Sequence, residues 1–238
     1  MSMHPNSTSY QSADAATSSR AVVRFFNVVY AWMAVGLALT ALAAYVTAVT
    51  PALREAVYGN MAVVIGLSVG CLAISLIVQF TAGKLNSFAA TMLFLLYASG
   101  LGVLCSYVFI VYQMKTIGAA FVLTGGIFGA MSVYGFVTKR DLSQMGSILC
   151  MALIGVILAS VVNIFVASNM LSWIVTYAVL AIFIGITAYK TQELRDTAVV
   201  TANEPELANR YAVVGALVLY IAFINMFLAI LRILGNRR

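Results

Sequence analysis

Seven long apolar runs, at 25–49, 61–80, 88–111, 117–137, 146–168, 171–189 and 211–234, take up most of this 238-residue chain, and nearly every charge falls in the gaps between them. A hydrocarbon layer about 30 Å thick is crossed by about 20 apolar residues in an α-helix. Water does not reach that layer, so each backbone N–H and C=O must be paired within its own segment, and a helix is the form that achieves this. Charged residues make up 8% of the chain and apolar ones 63%, where a water-facing surface needs roughly a quarter charged. The expected fold is all-α, a polytopic membrane bundle of seven transmembrane helices. The fifth and sixth runs are parted only by Asn169 and Met170. That predicts a tight helical hairpin, and a count of six or seven spans turns on how it sits.

Residues 1–20, rich in Ser, Thr, Ala and Asn, are expected to form a disordered tail, and 21–238 a single transmembrane domain. The first apolar run is too long for the core of a cleavable signal and reads as a retained anchor. The net charge of +6 is spread along membrane edges, with no basic stripe interleaved with aromatics, so nucleic acid is not an expected partner; the bilayer is. Arg20, Arg24, Lys84, Lys139, Arg140, Lys190, Arg195 and Arg210 fall on the side of the N-terminus. Arg54, Lys115, Arg232, Arg237 and Arg238 fall opposite. The positive-inside rule then makes the N-terminus cytoplasmic; the basic C-terminal tail is the point in favour of an even count.

The spans hold no Ser/His/Asp set, no paired carboxylates, no metal-ligand spacing and no phosphate loop, so neither catalysis nor a cofactor is expected. His4, in the tail, is the only histidine, and Cys71, Cys105 and Cys150 read as small packing residues. Small residues four apart, Gly66 with Gly70, Ala98 with Gly102 and Gly125 with Gly129, suggest close helix packing. Ionisable groups inside a span are the default functional candidates. Lys190, at the end of the sixth run, either snorkels to the interface or turns its ammonium into the bundle. Asn225 in the seventh run and Asn163 in the fifth read as helix-to-helix hydrogen bonds or as ion or water ligands.

Three segments then carry a resemblance. They are Tyr134-Gly135-Phe136-Val137-Thr138-Lys139-Arg140-Asp141-Leu142-Ser143, Thr187-Ala188-Tyr189-Lys190-Thr191-Gln192, and Leu219-Tyr220-Ile221-Ala222-Phe223-Ile224-Asn225-Met226-Phe227 with Leu231-Arg232-Ile233-Leu234-Gly235. In this order, over residues 20–238, the chain resembles the bacterial branch of the Bax inhibitor-1 family. The resemblance implies six helices around a central seventh and a cytoplasmic N-terminus. It also implies a pH-sensitive calcium leak, in which an aspartate on the sixth helix and one on the seventh share a proton. Two carboxylates forced together in low dielectric titrate as a coupled pair, which makes such a sensor physically reasonable.

Aligned motif on motif, those two positions are Lys190 and Ala222, and the arginine latch of some members has no counterpart in 61–80. A lysine and an alanine share no proton and chelate no calcium. Lys190 instead supplies a fixed positive charge that would hold the bundle in one state and lower cation leak. Two functions follow as expectations. The first is a calcium or other cation leak channel, or a stress-response membrane protein, with Tyr189, Lys190, Gln192, Tyr220 and Asn225 lining a cavity that opens to the cytoplasm. The second is a non-conducting partner or regulator of a membrane-bound quality-control protease, with the tail and a charged loop at 193–210 as its exposed handles.

Overall fold

The apolar runs become helices because nothing else satisfies their backbone in lipid. The computed structural model describes residues 7–81 and 86–235. Its helices are α1 (Ser7–Val49), α2 (Pro51–Tyr58), α3 (Met61–Thr81), α4 (Ser87–Val111), α5 (Met114–Val137), α6 (Ser143–Val166), α7 (Asn169–Val200) and α8 (Pro205–Leu234). Lys84, Arg237, Arg238 and residues 1–6, with His4, lie outside the described residues. Among the described residues six of these helices are each long and apolar enough to cross a membrane, and α2 with α3, bent by 82° at their junction, make a seventh if the bent pair is one span.

The last helix is the axis of the bundle. From Ala212 to Leu231 most of α8 is buried, and it packs against α1, α4, α5 and α7. By contrast α6 has no buried residue among those described and leans on α7 alone among the close helix pairs. Its apolar surface faces outward, as a peripheral membrane helix requires. A span that is apolar all round can serve as centre or rim, which is why periodicity alone does not separate α8 from α6.

α1 starts at Ser7; a span that is already helical extends at little cost through Ala13, Ala15 and Ala16, since nucleation is the expensive step. Several sequence expectations are corrected. The hairpin between the fifth and sixth runs turns at Ala167 and Ser168. There Ala167 takes a left-handed conformation, φ 49°, and the Asn163 side-chain oxygen accepts from Ser168 N–H at 3.1 Å. Asn163 is thus a local cap. The charged loop at 193–210 is mostly helix, because α7 runs on to Val200 and α8 starts at Pro205. Hydropathy marks the part of a helix that lies in lipid, and a helix ends where its backbone finds caps.

Only one of the three small-residue pairs makes a contact. A Cβ at Gly102 would stand 2.7 Å from the Thr40 carbonyl oxygen, so α1 and α4 touch backbone to backbone there. Ala98, one turn earlier, is fully buried. A Cβ at Gly66, Gly70, Gly125 or Gly129 would meet open space, so those pairs face outward. Cys150 is likewise exposed on α6, while Cys71 is buried against the α4 glycine Gly100.

Above that contact sits the main polar tie of the core. Thr40 Oγ1 lies 2.8 Å from Gly36 O on its own helix and 2.9 Å from Ala98 O on α4. Carbonyls only accept, so the threonine proton goes to them, and Tyr220 Oη donates to Thr40 Oγ1 over 2.6 Å. The Tyr220 ring meets Phe94 and Tyr97 edge to face, at 5.6 and 6.0 Å. One hydroxyl pair therefore joins α1, α4 and α8.

Gly102→Ala is expected to destabilise the detergent-solubilised protein by about 1–3 kcal/mol through overpacking. Gly125→Ala is expected to be neutral, or to stabilise by up to about 1 kcal/mol through helix propensity. Thermal unfolding of both variants measures this, and equal effects would contradict the α1–α4 contact.

Candidate functional site

Two of the resemblance segments meet on the N-terminal side of the bundle. There α5 ends at Val137, the chain turns through 138–142, and the last three turns of α7 rise beside the turn. Gln192 is 6% exposed and reaches across: its Nε2 donates to Arg140 O at 2.8 Å, and its Oε1 accepts from Leu142 N–H at 2.8 Å. Both halves of one amide are matched to backbone, the oxygen accepting and the nitrogen donating. Arg195 adds a second clasp by donating to Phe136 O at 2.8 Å and Thr138 O at 3.3 Å while it holds Asp196 at 3.0 Å. Deeper in, Gly135 lies against the Ala188 backbone and Gly146 against the Tyr189 ring. Within the turn, the Asp141 carboxylate accepts from Ser143 N–H at 2.8 Å. Hydrogen bonds from the Ser143 side chain and backbone hold its carboxyl below the usual range.

Beside this joint, between the ends of α6, α7 and α8, opens a cleft of about 530 Å³ with Tyr189, Gln192, Glu193 and Asp196 on its wall. Lys190 stands at its edge. Its Nζ is 2.7 Å from Glu193 Oε2, with the two side chains 31% and 47% exposed, and 5.0 Å from the centre of the Tyr189 ring. The ammonium is therefore neutralised one turn along its own helix and lies at the rim. The inward orientation is not adopted, because Glu193 offers an acceptor in water-accessible surroundings and the core offers none.

Ala222 is fully buried in α8. The remaining residues of the expected cavity also lie away from the cleft. Tyr220 is sealed by Thr40, Phe94 and Tyr97, and Asn225 Nδ2 donates to Ile221 O of its own helix at 2.8 Å. The expected helix-to-helix bond of Asn225 is thus replaced by a bond to the carbonyl four residues back, which is always within reach in a helix. Of the five polar groups expected to share a cavity, Tyr189 and Gln192 line the cleft, Lys190 is paired with Glu193 of its wall, Tyr220 belongs to the core, and Asn225 is part-buried on α8.

Among the described residues no three His, Cys, Asp or Glu side chains are grouped to hold a metal ion. Sequence reasoning missed Thr40 and Arg195. A threonine in an alanine-rich span carries no signal of its own, and Arg195 looked like one charge of a solvated loop.

Gln192→Leu leaves Arg140 O and Leu142 N–H without their partners, and about 1–3 kcal/mol of stability should be lost. Backbone hydrogen exchange should quicken over 138–142. Lys190→Met, which removes a half-exposed pair, should cost under about 1 kcal/mol.

Comparison with known proteins places this geometry. The family profile described as "Inhibitor of apoptosis-promoting Bax1" matches residues 22–238. The Escherichia coli "Inner membrane protein YbhL" is 46% identical over 211 residues, which cover 88% of this chain and 90% of the relative. An uncharacterized protein of Borreliella burgdorferi is 37% identical over 90% of this chain and 93% of its own length. The uncharacterized protein RP147 of Rickettsia prowazekii is 36% identical over 90% of each.

Proposed function

We propose that this chain, which belongs to the Bax inhibitor-1 family of multi-pass membrane proteins, is a member closed to calcium that acts as a membrane partner protein. The observation that carries this reading is the state of the two sensor positions. One is an alanine enclosed in the apolar axis, and the other is a lysine already matched by Glu193. Without carboxylates there is no coupled titration to change how α7 and α8 pack as pH falls. The Tyr220 and Thr40 hydroxyls, with the rings of Phe94 and Tyr97, fill the space beside α8 with packed side chains and leave no polar cavity there among the described residues.

The relative named as an inner membrane protein supports the bacterial inner membrane as the location. The excess of Lys and Arg on the side of Arg20, Lys139 and Arg195 supports a cytoplasmic N-terminus. On that side α7 and α8 project beyond their apolar parts. Their ends carry Glu193, Arg195, Asp196, Glu204 and Glu206, a mixed-charge surface suited to a protein partner such as a membrane-bound quality-control protease. A second reading, a cation leak serving a stress response, draws on Glu193 and Asp196 in the wall of the 530 Å³ cleft.

Calcium-loaded liposomes distinguish the two. The natural protein is expected to release no calcium between pH 5 and 8, whereas Lys190→Asp with Ala222→Asp is expected to leak with a pH dependence. Release by the natural protein would overturn the closed reading in favour of the leak.

A further inference from the structure

A second pocket, of about 560 Å³, opens on the N-terminal side between α1 and the ends of α4, α7 and α8. It shares no lining residue with the cleft beside Lys190. On α1 its wall is Arg20, Arg24, Phe25 and Val28, at spacings of four, five and eight residues, hence one helix face about 12 Å deep. The two arginines come first along the chain, and below them the wall is Phe25 and Val28, with Ala212 of α8 opposite. This is the profile of an amphiphile, polar at the mouth and apolar beneath.

The charges narrow the ligand. Arg20 and Arg24 are like charges four apart on one helix, which repel, and neither is in an ion pair among the described residues. Guanidinium forks match phosphate oxygens. Facing them, Ser87 Oγ is shut off from solvent and has no hydrogen-bond partner among the described residues, a condition that native structures rarely leave unmet. Glu206 stands on the α8 wall as the one carboxylate of the pocket. Two positive charges and one negative leave room for a ligand of single negative charge, and a dianion would face Glu206.

We propose that this pocket binds the phosphodiester of one anionic membrane phospholipid. Arg20 and Arg24 hold its phosphate oxygens, Ser87 donates a hydrogen bond, and the first acyl carbons lie on Phe25 and Val28. Arginines at a membrane edge snorkel toward headgroups in general; the enclosed serine and the apolar floor make this a site for a single lipid.

The test uses the full chain purified in detergent, with native mass spectrometry to count phosphatidylglycerol and phosphatidylcholine retained from mixed micelles. One phosphatidylglycerol per chain is expected to persist, about tenfold more tightly than phosphatidylcholine, whose choline ammonium cancels the phosphate charge and is repelled by the two guanidiniums. Inorganic phosphate should not displace it. Arg20→Gln with Arg24→Gln should abolish the preference, and Ser87→Ala, a milder change, should weaken retention severalfold. Lys139→Gln with Arg140→Gln removes the same charge from the same side outside the pocket and should leave retention unchanged. Equal loss in the two double variants, unchanged retention in Ser87→Ala, or equal retention of both lipids would overturn the proposal. Displacement by inorganic phosphate would overturn it in favour of a free-anion site.

Discussion

The bundle depends on a helix that has no lipid to face. In a bilayer the tails are as apolar as leucine, so a central span gains nothing from the hydrophobic effect and must be held by close packing and a few hydrogen bonds. α8 is held in both ways. The hydroxyl of Tyr220 reaches Thr40, which in turn reaches the backbone of α4 at Ala98. The approach of α1 to α4 that makes this possible rests on Gly102, where any side chain would meet the Thr40 backbone. The apolar remainder of the axis, Phe223 among Phe121 and Phe128, adds edge-to-face ring contacts without adding polarity.

From that axis the N-terminal side of the molecule follows. With α7 packed on α8, its extension past the membrane carries Gln192 and Arg195 to the carbonyls of the turn between α5 and α6. Three backbone groups of that turn, at 138, 140 and 142, and one in the last turn of α5, at 136, are bonded by two side chains. Two of the three segments that carry the family resemblance are therefore parts of one joint, and their spacing in the chain reflects contact in space. Near this joint Lys190 is paired within its own helix, while Ala222 is enclosed in the axis of α8. The scaffold is compatible with losing its titrating pair because the joint beside it is built from an amide and a guanidinium, neither of which titrates near neutral pH.

Much of this was legible beforehand. Run length and the absence of charge predict the helices, because lipid leaves the backbone no other choice. The three motifs point to the family, and the hairpin between the fifth and sixth runs was placed within two residues of its turn. What escaped was direction and partner. Gly125 with Gly129 has the same spacing as Ala98 with Gly102 and faces outward, since spacing says that two small residues share a face and not what lies opposite it. Asn225 looked like a link between helices and bonds to its own backbone. Residues 193–210 looked like a loop because they are polar, and they are two helix ends.

By itself, then, the sequence determined that this protein lives in a membrane, that its segments are helices, and that its spans hold almost no charged side chain. Those are properties of single segments and single positions, set by transfer energy, backbone pairing and chemical type. Only the tertiary structure decided which helix is central, which glycines touch, and where the arginines and the lysine near the N-terminal face find their partners. Such choices depend on pairs of surfaces, and among spans that are apolar all round, complementarity of shape is the interaction that separates one pairing from another.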